Sequence, residues 1–320
     1  MATGTPQTRR STVGWPLARA AVTIAAVAWV GSRVEPGEAL RHLRAAPAWA
    51  WLVPIGLMLL NAWLHAVRVQ ILLAASGVTA RQSAILGAIL RAGFVGLVLP
   101  TGGSEVAKVA WLTRVTGNSE ASVTALVGVR VLELLPWTGL LIFGLSRGLL
   151  RTDPLIGASA LFFTVAFLGV ITVIVLGVRV SPDIARRIPG RPGAFAVRCA
   201  DALSRIKDRP RHILAALLLA IPFALINGLS IFVALRGHGI GLSYVEVLAL
   251  FPAADTLISL PVTISGVGVR EGVFAHALAP WGISESLAVA ASLTRWSGEL
   301  GRAAVGGVLF VIRDPAAARR

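Results

Sequence analysis

Eleven ionisable residues lie in or beside apolar stretches of this sequence, where a charged side chain needs a specific reason to be. They are Arg91, Glu105, Lys108, Arg130, Glu133, Asp255, Arg270, Glu271, Arg295, Glu299 and Arg302. A single charge at the centre of a bilayer costs at least ~2.5 kcal/mol on insertion scales. Guanidinium groups are suited to phosphate oxygens, and carboxylates can balance them or meet a cationic group. The set therefore predicts a polar binding site enclosed by apolar helices.

The spacing of the first charges shows which of them share a helix face. Glu105 and Lys108 are three positions apart, as are Arg130 and Glu133, so each pair lies on one face of a helix. Two interpretations remain open for Arg130 and Glu133. They are either satisfied ion pairs that fix helix packing or part of a ligand site.

The charges near the C-terminus form a second group. Arg295, Glu299 and Arg302 recur at positions i, i+4 and i+7, which predicts one stripe directed into a helix bundle. The same two interpretations hold for Arg295 and Glu299. For Arg270 and Glu271 a binding role is favoured, because backbone N–H groups freed at the preceding glycine-rich break suit a phosphate. On a helix Glu271 points about 100° away from Arg270, so it need not neutralise Arg270 directly.

Each group of charges follows a break in an apolar segment. The segment Ser83–Ala110 contains Leu-Pro-Thr-Gly-Gly-Ser at positions 99–104, and Tyr244–Leu278 contains Leu-Pro-Val-Thr-Ile-Ser-Gly-Val-Gly at positions 260–268. Proline and glycine end helices, and irregular backbone cannot face lipid. The breaks should therefore lie inside the protein or line a wet cavity. The glycines that we expect to border the site are Gly102, Gly103, Gly266 and Gly268.

The composition places these charges in an integral membrane protein. Of 320 residues, 56% are hydrophobic and only 14% are charged, with a mean hydropathy of +0.78. That is too little polar surface to cover a soluble globule of this size. The net charge is +15, from 30 Lys and Arg against 15 Asp and Glu. Membrane proteins gather such residues on cytoplasmic loops, so we expect no nucleic-acid partner.

Six segments are apolar enough, and close enough to the required ~20 residues, to cross a bilayer. They are approximately 15–31, 49–67, 121–145, 155–178, 213–235 and 286–312. Basic residues cluster at both termini and in the polar stretch 181–211, which predicts that all three are cytoplasmic and that the protein is a multi-pass cell-membrane protein. The first span follows Arg9 and Arg10 and is expected to be retained rather than cleaved. The stretch 34–46 is interpreted as a short interfacial helix on the outer side.

With that topology the two broken segments cannot cross completely. We therefore predict two re-entrant helical hairpins, the first entering from the cytoplasm and the second from outside. Both run Leu-Pro, small residues and a charged pair, followed by a helix with Arg and Glu. Glu105 precedes Arg130 by 25 positions, and Glu271 precedes Arg295 by 24. The predicted fold is an all-α polytopic membrane protein with about six transmembrane helices, two re-entrant hairpins and an inverted repeat, an arrangement common in secondary transporters.

The whole chain, residues 1–320, is then a single integral membrane domain. Residues 1–48 form an N-terminal helix and interfacial segment, and 49–179 form the first half, with its hairpin at 83–118. A basic cytoplasmic loop at 180–212 leads to the second half at 213–312, with its hairpin at 244–282.

Motifs for cofactor chemistry are missing from the sequence. Cys199 is the single cysteine, and the five histidines are scattered, so we expect no metal site. There is no Walker A motif, and Gly266-Val-Gly268 lacks the third glycine of a dinucleotide loop. The sequence predicts no cofactor and no catalytic residue.

The two broken motifs resemble the signatures of the lysylphosphatidylglycerol synthase transmembrane-region proteins, also called flippase-like or YbhN-like. The resemblance rests on Leu99-Pro-Thr-Gly-Gly-Ser-Glu105, with Arg91 before it, and on Gly266-Val-Gly-Val-Arg-Glu-Gly272 after Leu260-Pro261. It covers roughly residues 48–312. In that family the membrane region accompanies, or is fused to, enzymes that make aminoacylated or glycosylated lipids, and some members move the modified lipid between leaflets. Only eight residues follow Ile312, so the chain resembles a free-standing membrane part without the synthase domain.

The resemblance implies a flippase that moves an aminoacylated or glycosylated lipid with a polar headgroup between leaflets. Its expected partners are membrane lipids with anionic or zwitterionic phosphate headgroups, together with a separate lipid-modifying enzyme. Arg270, Arg295 and Arg130 would hold phosphate, and Glu105, Glu271 and Glu299 would balance those charges. Two alternatives stay open: an intramembrane lipid-modifying transferase, in which Asp255 and Glu271 supply the base, and a non-transporting scaffold for a lipid-modifying enzyme.

Overall fold

The computed structural model describes residues 24–25, 28–29, 31–98, 103–149, 153–186, 206, 208–259 and 267–312. Within these ranges the protein is all-helical, as the sequence predicts. The eleven helices are α1 (Pro36–Ala45), α2 (Ala48–Ala75), α3 (Gln82–Val98), α4 (Gly103–Thr116), α5 (Ser119–Ser146), α6 (Pro154–Arg186), α7 (Pro210–Leu218), α8 (Ala220–Gly237), α9 (Tyr244–Ser259), α10 (Val269–Leu278) and α11 (Glu285–Val311). A short 3₁₀ turn, Ala279–Trp281, follows α10.

Three of the expected membrane crossings are long and apolar enough to span a bilayer. They are α2, α5 and the continuous unit of α7 and α8, each 28 residues long. The crossing predicted at 155–178 falls on α6, whose first part, Pro154–Gly169, is a shorter apolar helix. The crossing predicted at 286–312 falls on α11, which is 27 residues long but carries Arg295, Glu299 and Arg302 within two turns. The crossing predicted at 15–31 lies largely outside the described residues.

The spans α2 and α8 pack side by side in opposite directions. Ala50, near the start of α2, fits against Gly237, the last residue of α8. At the other end Arg68 of α2 donates to the carbonyl of Ala216 in α7 at 3.0 Å. Helix α3 follows α2, and α9 follows α8. Helices α3 and α9 therefore begin at opposite ends of this antiparallel pair.

Both spans end with the same hydrogen-bonded turn. Gly77 follows α2 with φ of 82°, and Gly239 follows α8 with φ of 73°, a backbone conformation that favours glycine. The N–H of Val78 then donates to Leu73, and the N–H of Ile240 donates to Leu235, each at 3.0 Å. This pattern satisfies carbonyls that the helix end leaves open and turns the chain sharply.

The two broken segments of the sequence each form a pair of consecutive short helices. Helix α3 packs on α4, with Gly96 directly against the side chain of Ser104, and α9 packs on α10. The central breaks predicted at 99–102 and 260–266 lie outside the described residues. The stretch 34–46, interpreted as an interfacial helix, contains the helix α1, which packs against α11, and its place in the interface stays a prediction.

Each short pair also packs on a long helix of the other half of the chain. Gly306 of α11 brings that helix against the carbonyl of Leu90 in α3, and Gly144 of α5 lies against the carbonyl of Ala249 in α9. A Cβ at either glycine would lie 2.0 to 2.2 Å from that oxygen, which no side chain tolerates. These two contacts join the halves at the backbone level.

Candidate functional site

The apolar core is divided into two clusters, and charged and polar side chains lie between them. Along α5, Val129 belongs to the first cluster and Leu141 to the second, with Glu133 in between. Along α7 and α8, Ala216 belongs to the first and Ile231 to the second, with Asn227 in between. The candidate site is therefore a polar layer at the middle of the spans.

In the first half of the chain this layer is organised around Glu133. Its carboxylate accepts from Arg68 at 2.7 Å and from Arg130 at 2.8 Å, and the His65 ring nitrogen Nδ1 lies 3.4 Å away. Arg68 is fully buried and stacks over the ring of Phe223. The prediction that Arg130 and Glu133 share a helix face is confirmed, and the two side chains form an ion pair.

Arg130 extends the network to α4. It pairs with Glu105, which also accepts from Lys108 at 2.8 Å, as the three-residue spacing predicts. The side chains of Arg130 and Glu105 are 50% and 40% exposed, whereas Glu133 is only 5% exposed. Arg130 is the twelfth residue of a 28-residue span, so this exposure lies near mid-span. Because charge exposed to hydrocarbon is so costly, the exposed side of this pair requires a polar environment.

In the second half, Arg270 and Glu271 form a buried pair at the start of α10. Arg270 Nε donates to Glu271 at 2.9 Å, a second N–H of the same guanidinium donates to the same oxygen, and Arg270 is only 3% exposed. Glu271 thus neutralises Arg270 directly, although the 100° between neighbours on a helix does not require it. The long arginine side chain folds back along the first turn, which the α-carbon geometry alone does not reveal. The guanidinium stacks on the Trp296 ring at 4.6 Å.

Glu271 has a second task in the same turn. Its other oxygen accepts from the backbone N–H of Gly268 at 2.7 Å, so the side chain caps the start of α10. Gly268 has φ of 82°. The glutamate thus fixes the turn that begins the helix and neutralises the neighbouring arginine at once.

Asp255 of α9 lies at the edge of the layer with Asn227 and Arg295. The Asn227 amide donates to Asp255 at 2.7 Å and accepts from Arg295 at 3.0 Å. The carboxylate and the guanidinium are themselves 3.8 Å apart. The Arg295 Nε is buried and has no hydrogen-bond partner among the described residues.

The stripe predicted on α11 is completed by Glu299 and Arg302, which form an ion pair on one face of the helix. Lys108 of α4 and Arg270 of α10 both lie close enough to Glu299 to interact electrostatically with its charge. The structure therefore brings α4, α10 and α11 together around one acidic group. The Nε of Arg302, like that of Arg295, is buried without a hydrogen-bond partner among the described residues.

The remaining site candidates lie at the margins of the layer. Arg91 donates to the carbonyl of Leu309 in α11 at 2.9 Å and stacks over Trp111, so this arginine joins α3 to α11 and α4. Gly103 begins α4. Gly102 and Gly266 lie outside the described residues.

Sequence reasoning missed four residues of the layer: Arg68, His65 as a neighbour of Glu133, Asn227 and Trp296. A signal for the first two existed, because His65 and Arg68 share a face of an apolar span at i and i+3. Among the described residues, no three His, Cys, Asp or Glu side chains come together as a set that could hold a metal ion.

Comparison with known proteins matches residues 17–295 to the family model described as Lysylphosphatidylglycerol synthase TM region. The match covers nearly the whole chain. No curated protein and no solved structure matches it.

Proposed function

Because this chain belongs to the Lysylphosphatidylglycerol synthase TM region family, a family of multi-pass membrane proteins linked to aminoacyl-lipid metabolism, we propose that it moves a polar-headgroup lipid between membrane leaflets. The lipid is a phospholipid or a related aminoacylated or glycosylated lipid. The observation that carries this proposal is the exposed Arg130–Glu105 ion pair at the middle of a membrane span. A polar cavity at that depth gives a headgroup a place to reside while its acyl chains stay in lipid.

We also propose that the two halves form an inverted repeat, and the positions of corresponding helices and residues support this. The spans 48–75 and 210–237 have equal length and the same terminal turn, and each is followed seven positions later by a short helix. Glu105 is the third residue of α4, and Glu271 is the third residue of α10. Glu133 and Glu299 stand 28 positions after them, each the fifteenth residue of its helix. Such agreement in position is what two copies of one unit would produce.

The short helix pairs fit re-entrant hairpins. At 1.5 Å per residue, α3 is about 26 Å long and α9 about 24 Å, less than the ~30 Å of hydrocarbon. Since α3 and α9 begin at opposite ends of the antiparallel α2–α8 pair, the two hairpins enter from opposite faces. On the charge distribution, we place the first hairpin and both termini on the cytoplasmic side.

The chemistry of the layer suits a phosphate headgroup. Arg295 and Arg302 each hold a buried Nε–H without a partner among the described residues, and Arg130 is half exposed. These donors can bind phosphate oxygens, while Glu105 and Glu299 offer acceptors to a cationic part of the headgroup. Arg270 contributes through its charge and its stacking on Trp296, because Glu271 occupies two of its N–H groups.

A non-transporting scaffold is the second candidate, since several of these charges are already paired within the protein. Glu133 forms ion pairs with both Arg68 and Arg130, and these pairs would also stabilise helix packing. We favour transport because packing does not require the Arg130–Glu105 pair to be exposed. We propose no catalytic activity for the chain.

Reconstitution tests the proposal. The purified protein is placed in liposomes with a fluorescent phosphatidylglycerol, and leaflet exchange is followed by quenching with an impermeant reductant. Wild-type protein should speed exchange, and lipid mass spectrometry on the purified protein should identify what it carries. Arg130→Gln should slow exchange at least about tenfold, as loss of a charged hydrogen bond of ~1.5–3 kcal/mol predicts.

Arg147→Gln is the matched control, because Arg147 is exposed and lies just after the same helix. It should keep the wild-type rate. If Arg130→Gln remains monodisperse and exchanges lipid like wild type, the cavity is not the transport site. Glu105→Gln gives an independent answer if Arg130→Gln fails to fold, since it removes the other exposed partner.

A further inference from the structure

The cation nearest to Asp255 lies farther away than the cations nearest to Glu133 and Glu271, two other buried carboxylates of the layer. Glu133 has two arginines within 2.8 Å, and Glu271 has Arg270 at 2.9 Å. Asp255 is 11% exposed, and its cation, Arg295, stands 3.8 Å away. Its one short hydrogen bond comes from a neutral amide, that of Asn227.

The Asp255 side chain also borders a groove in which a water molecule can contact it. It lines a narrow groove between α5, α8 and α9 with room for about one water molecule, together with Asn227 and apolar side chains such as Trp137, Leu140 and Phe251. Asn227 and Asp255 give a water molecule in this groove two polar partners, the minimum that such a water needs. A water molecule held in this groove can therefore pass a proton to the carboxylate.

The charges around Asp255 come from few elements. Helix α11 contributes Arg295 and, further away, Glu299, and α10 contributes the self-paired Arg270 and Glu271. On the other sides, α8 presents the neutral Asn227, α5 presents Trp137 and Leu140, and the nearby core of α6 is apolar. The charge balance around Asp255 thus depends on its own carboxylate and on the guanidinium of Arg295.

We propose that Asp255 is a proton-binding site that couples lipid movement to proton movement. This inference rests on the proposed lipid transport. With the site empty, ionised Asp255 and Arg295 neutralise each other across 3.8 Å. A phosphate that accepts from the buried Nε–H of Arg295, unpaired among the described residues, leaves the carboxylate without its counter-charge in a low-dielectric setting. Asp255 then takes one proton from water in the groove, and charge balance is restored.

Protons and lipid charges move in a one-to-one ratio in this cycle. One proton binds to an Asp255 oxygen when one phosphate charge enters the site, and both leave together on the other face. A lipid with a single negative charge therefore moves with one proton and without net charge. One pH unit across the membrane is a proton activity ratio of ten, so the coupled lipid should reach about a tenfold leaflet ratio. It should accumulate in the leaflet that faces the alkaline side.

The test uses proteoliposomes with a trace of fluorescent phosphatidylglycerol and an imposed pH difference. Wild-type protein should build up the lipid on the alkaline side, and a membrane potential alone should not. In Asp255→Asn the leaflet ratio should return to its value without a gradient, whatever the basal exchange rate of that variant. Glu246→Gln, an exposed position at the start of the same helix, is the matched control and should keep the response.

Each outcome has a distinct meaning. Exchange by wild type without any response to the gradient overturns the proton site and leaves lipid transport standing. A retained response in Asp255→Asn also overturns it. If wild type exchanges no lipid, the proposed function fails, and infrared spectroscopy in detergent decides the proton site. A pH-dependent carboxylic acid band that disappears in Asp255→Asn supports the site, and its absence in wild type contradicts it.

Discussion

Arg68 of α2 and Glu133 of α5 form an ion pair at 2.7 Å in which the arginine has no exposed surface. The other N–H groups of this guanidinium donate to the carbonyls of Val129 and Ala216, both at 3.0 Å. One side chain thus holds α2, α5 and α7 in register. A buried guanidinium whose three nitrogens all donate within the protein serves the fold rather than a ligand.

Replacement of Arg68 by methionine should therefore destabilise the protein without a direct effect on lipid binding. Removal of one partner from a buried ion pair costs about 3–5 kcal/mol, because the other charge stays buried. Thermal unfolding in detergent should show a clearly lower melting temperature. Arg41→Met, at an exposed site of α1, should change stability by no more than about 0.5 kcal/mol. An Arg68→Met protein that melts with wild type would contradict the structural role.

Two glycines of α5 offer a matched test of the contact between the halves. A Cβ at Gly144 would lie 2.2 Å from the carbonyl oxygen of Ala249, whereas a Cβ at Gly139 meets nothing within 4 Å. Gly144→Ala should destabilise the protein by about 1–3 kcal/mol through overpacking. Gly139→Ala should be neutral or stabilising by up to about 1 kcal/mol, since alanine favours the helix. Equal melting temperatures for the two variants would contradict the close approach of α5 and α9.

Single cysteines test the placement of the two loops that follow α2 and α8. Thr79 and Gly241 are exposed and lie at opposite ends of the antiparallel α2–α8 pair. In a Cys199→Ser background, an impermeant thiol reagent should label Thr79→Cys from the cytoplasmic side and Gly241→Cys from outside. Labelling of both from one side would exclude hairpins that enter from opposite faces.

His238 makes stability depend on pH. It follows the span 210–237, and its ring nitrogen lies 2.7 Å from the Thr294 hydroxyl of α11. Burial, with a smaller effect from the charge of His42, lowers the pKa of His238 below its ordinary value of 6.5. The unfolded chain then binds this proton more readily, so the stabilisation is present above pH 6.5 and is lost as the pH falls below it. The melting temperature should fall more steeply with acid in wild type than in His238→Asn, and parallel curves would contradict this.

The sequence predicts much of the layer because charges in apolar segments are rare and follow helical spacing. The Glu105–Lys108 and Arg130–Glu133 pairs could be foreseen, since residues three positions apart on a helix meet. The link between Arg130 and Glu105 could not, because it joins α5 to α4, and the spacing along one helix does not reveal how two helices pack.

Other contacts depend on side-chain paths that no spacing rule describes. Arg270 reaches its direct neighbour Glu271 by folding back over Trp296, although the two Cβ atoms diverge. Asn227 is a neutral residue in a hydrophobic span, and its bridging of Asp255 and Arg295 requires α8, α9 and α11 to converge. Sequence periodicity fixes which face a residue occupies, but it does not fix which helix lies opposite.

The ion pairs at the starts of α4 and α10 differ in how strongly they resist a shift of each helix along its neighbour. Glu105 is joined to Arg130 on the neighbouring span, so a shift of α4 along α5 pulls opposite charges apart at the middle of the bundle. Arg270 and Glu271 belong to the same helix, and a shift of α10 along α11 carries their pair along intact. At the start of α10 such a shift breaks the stacking of Arg270 on Trp296, which stabilises the protein by about 0.5–2 kcal/mol. A shift along the neighbouring helix thus costs less free energy for α10 than for α4, although each of the two follows a central break in its apolar segment.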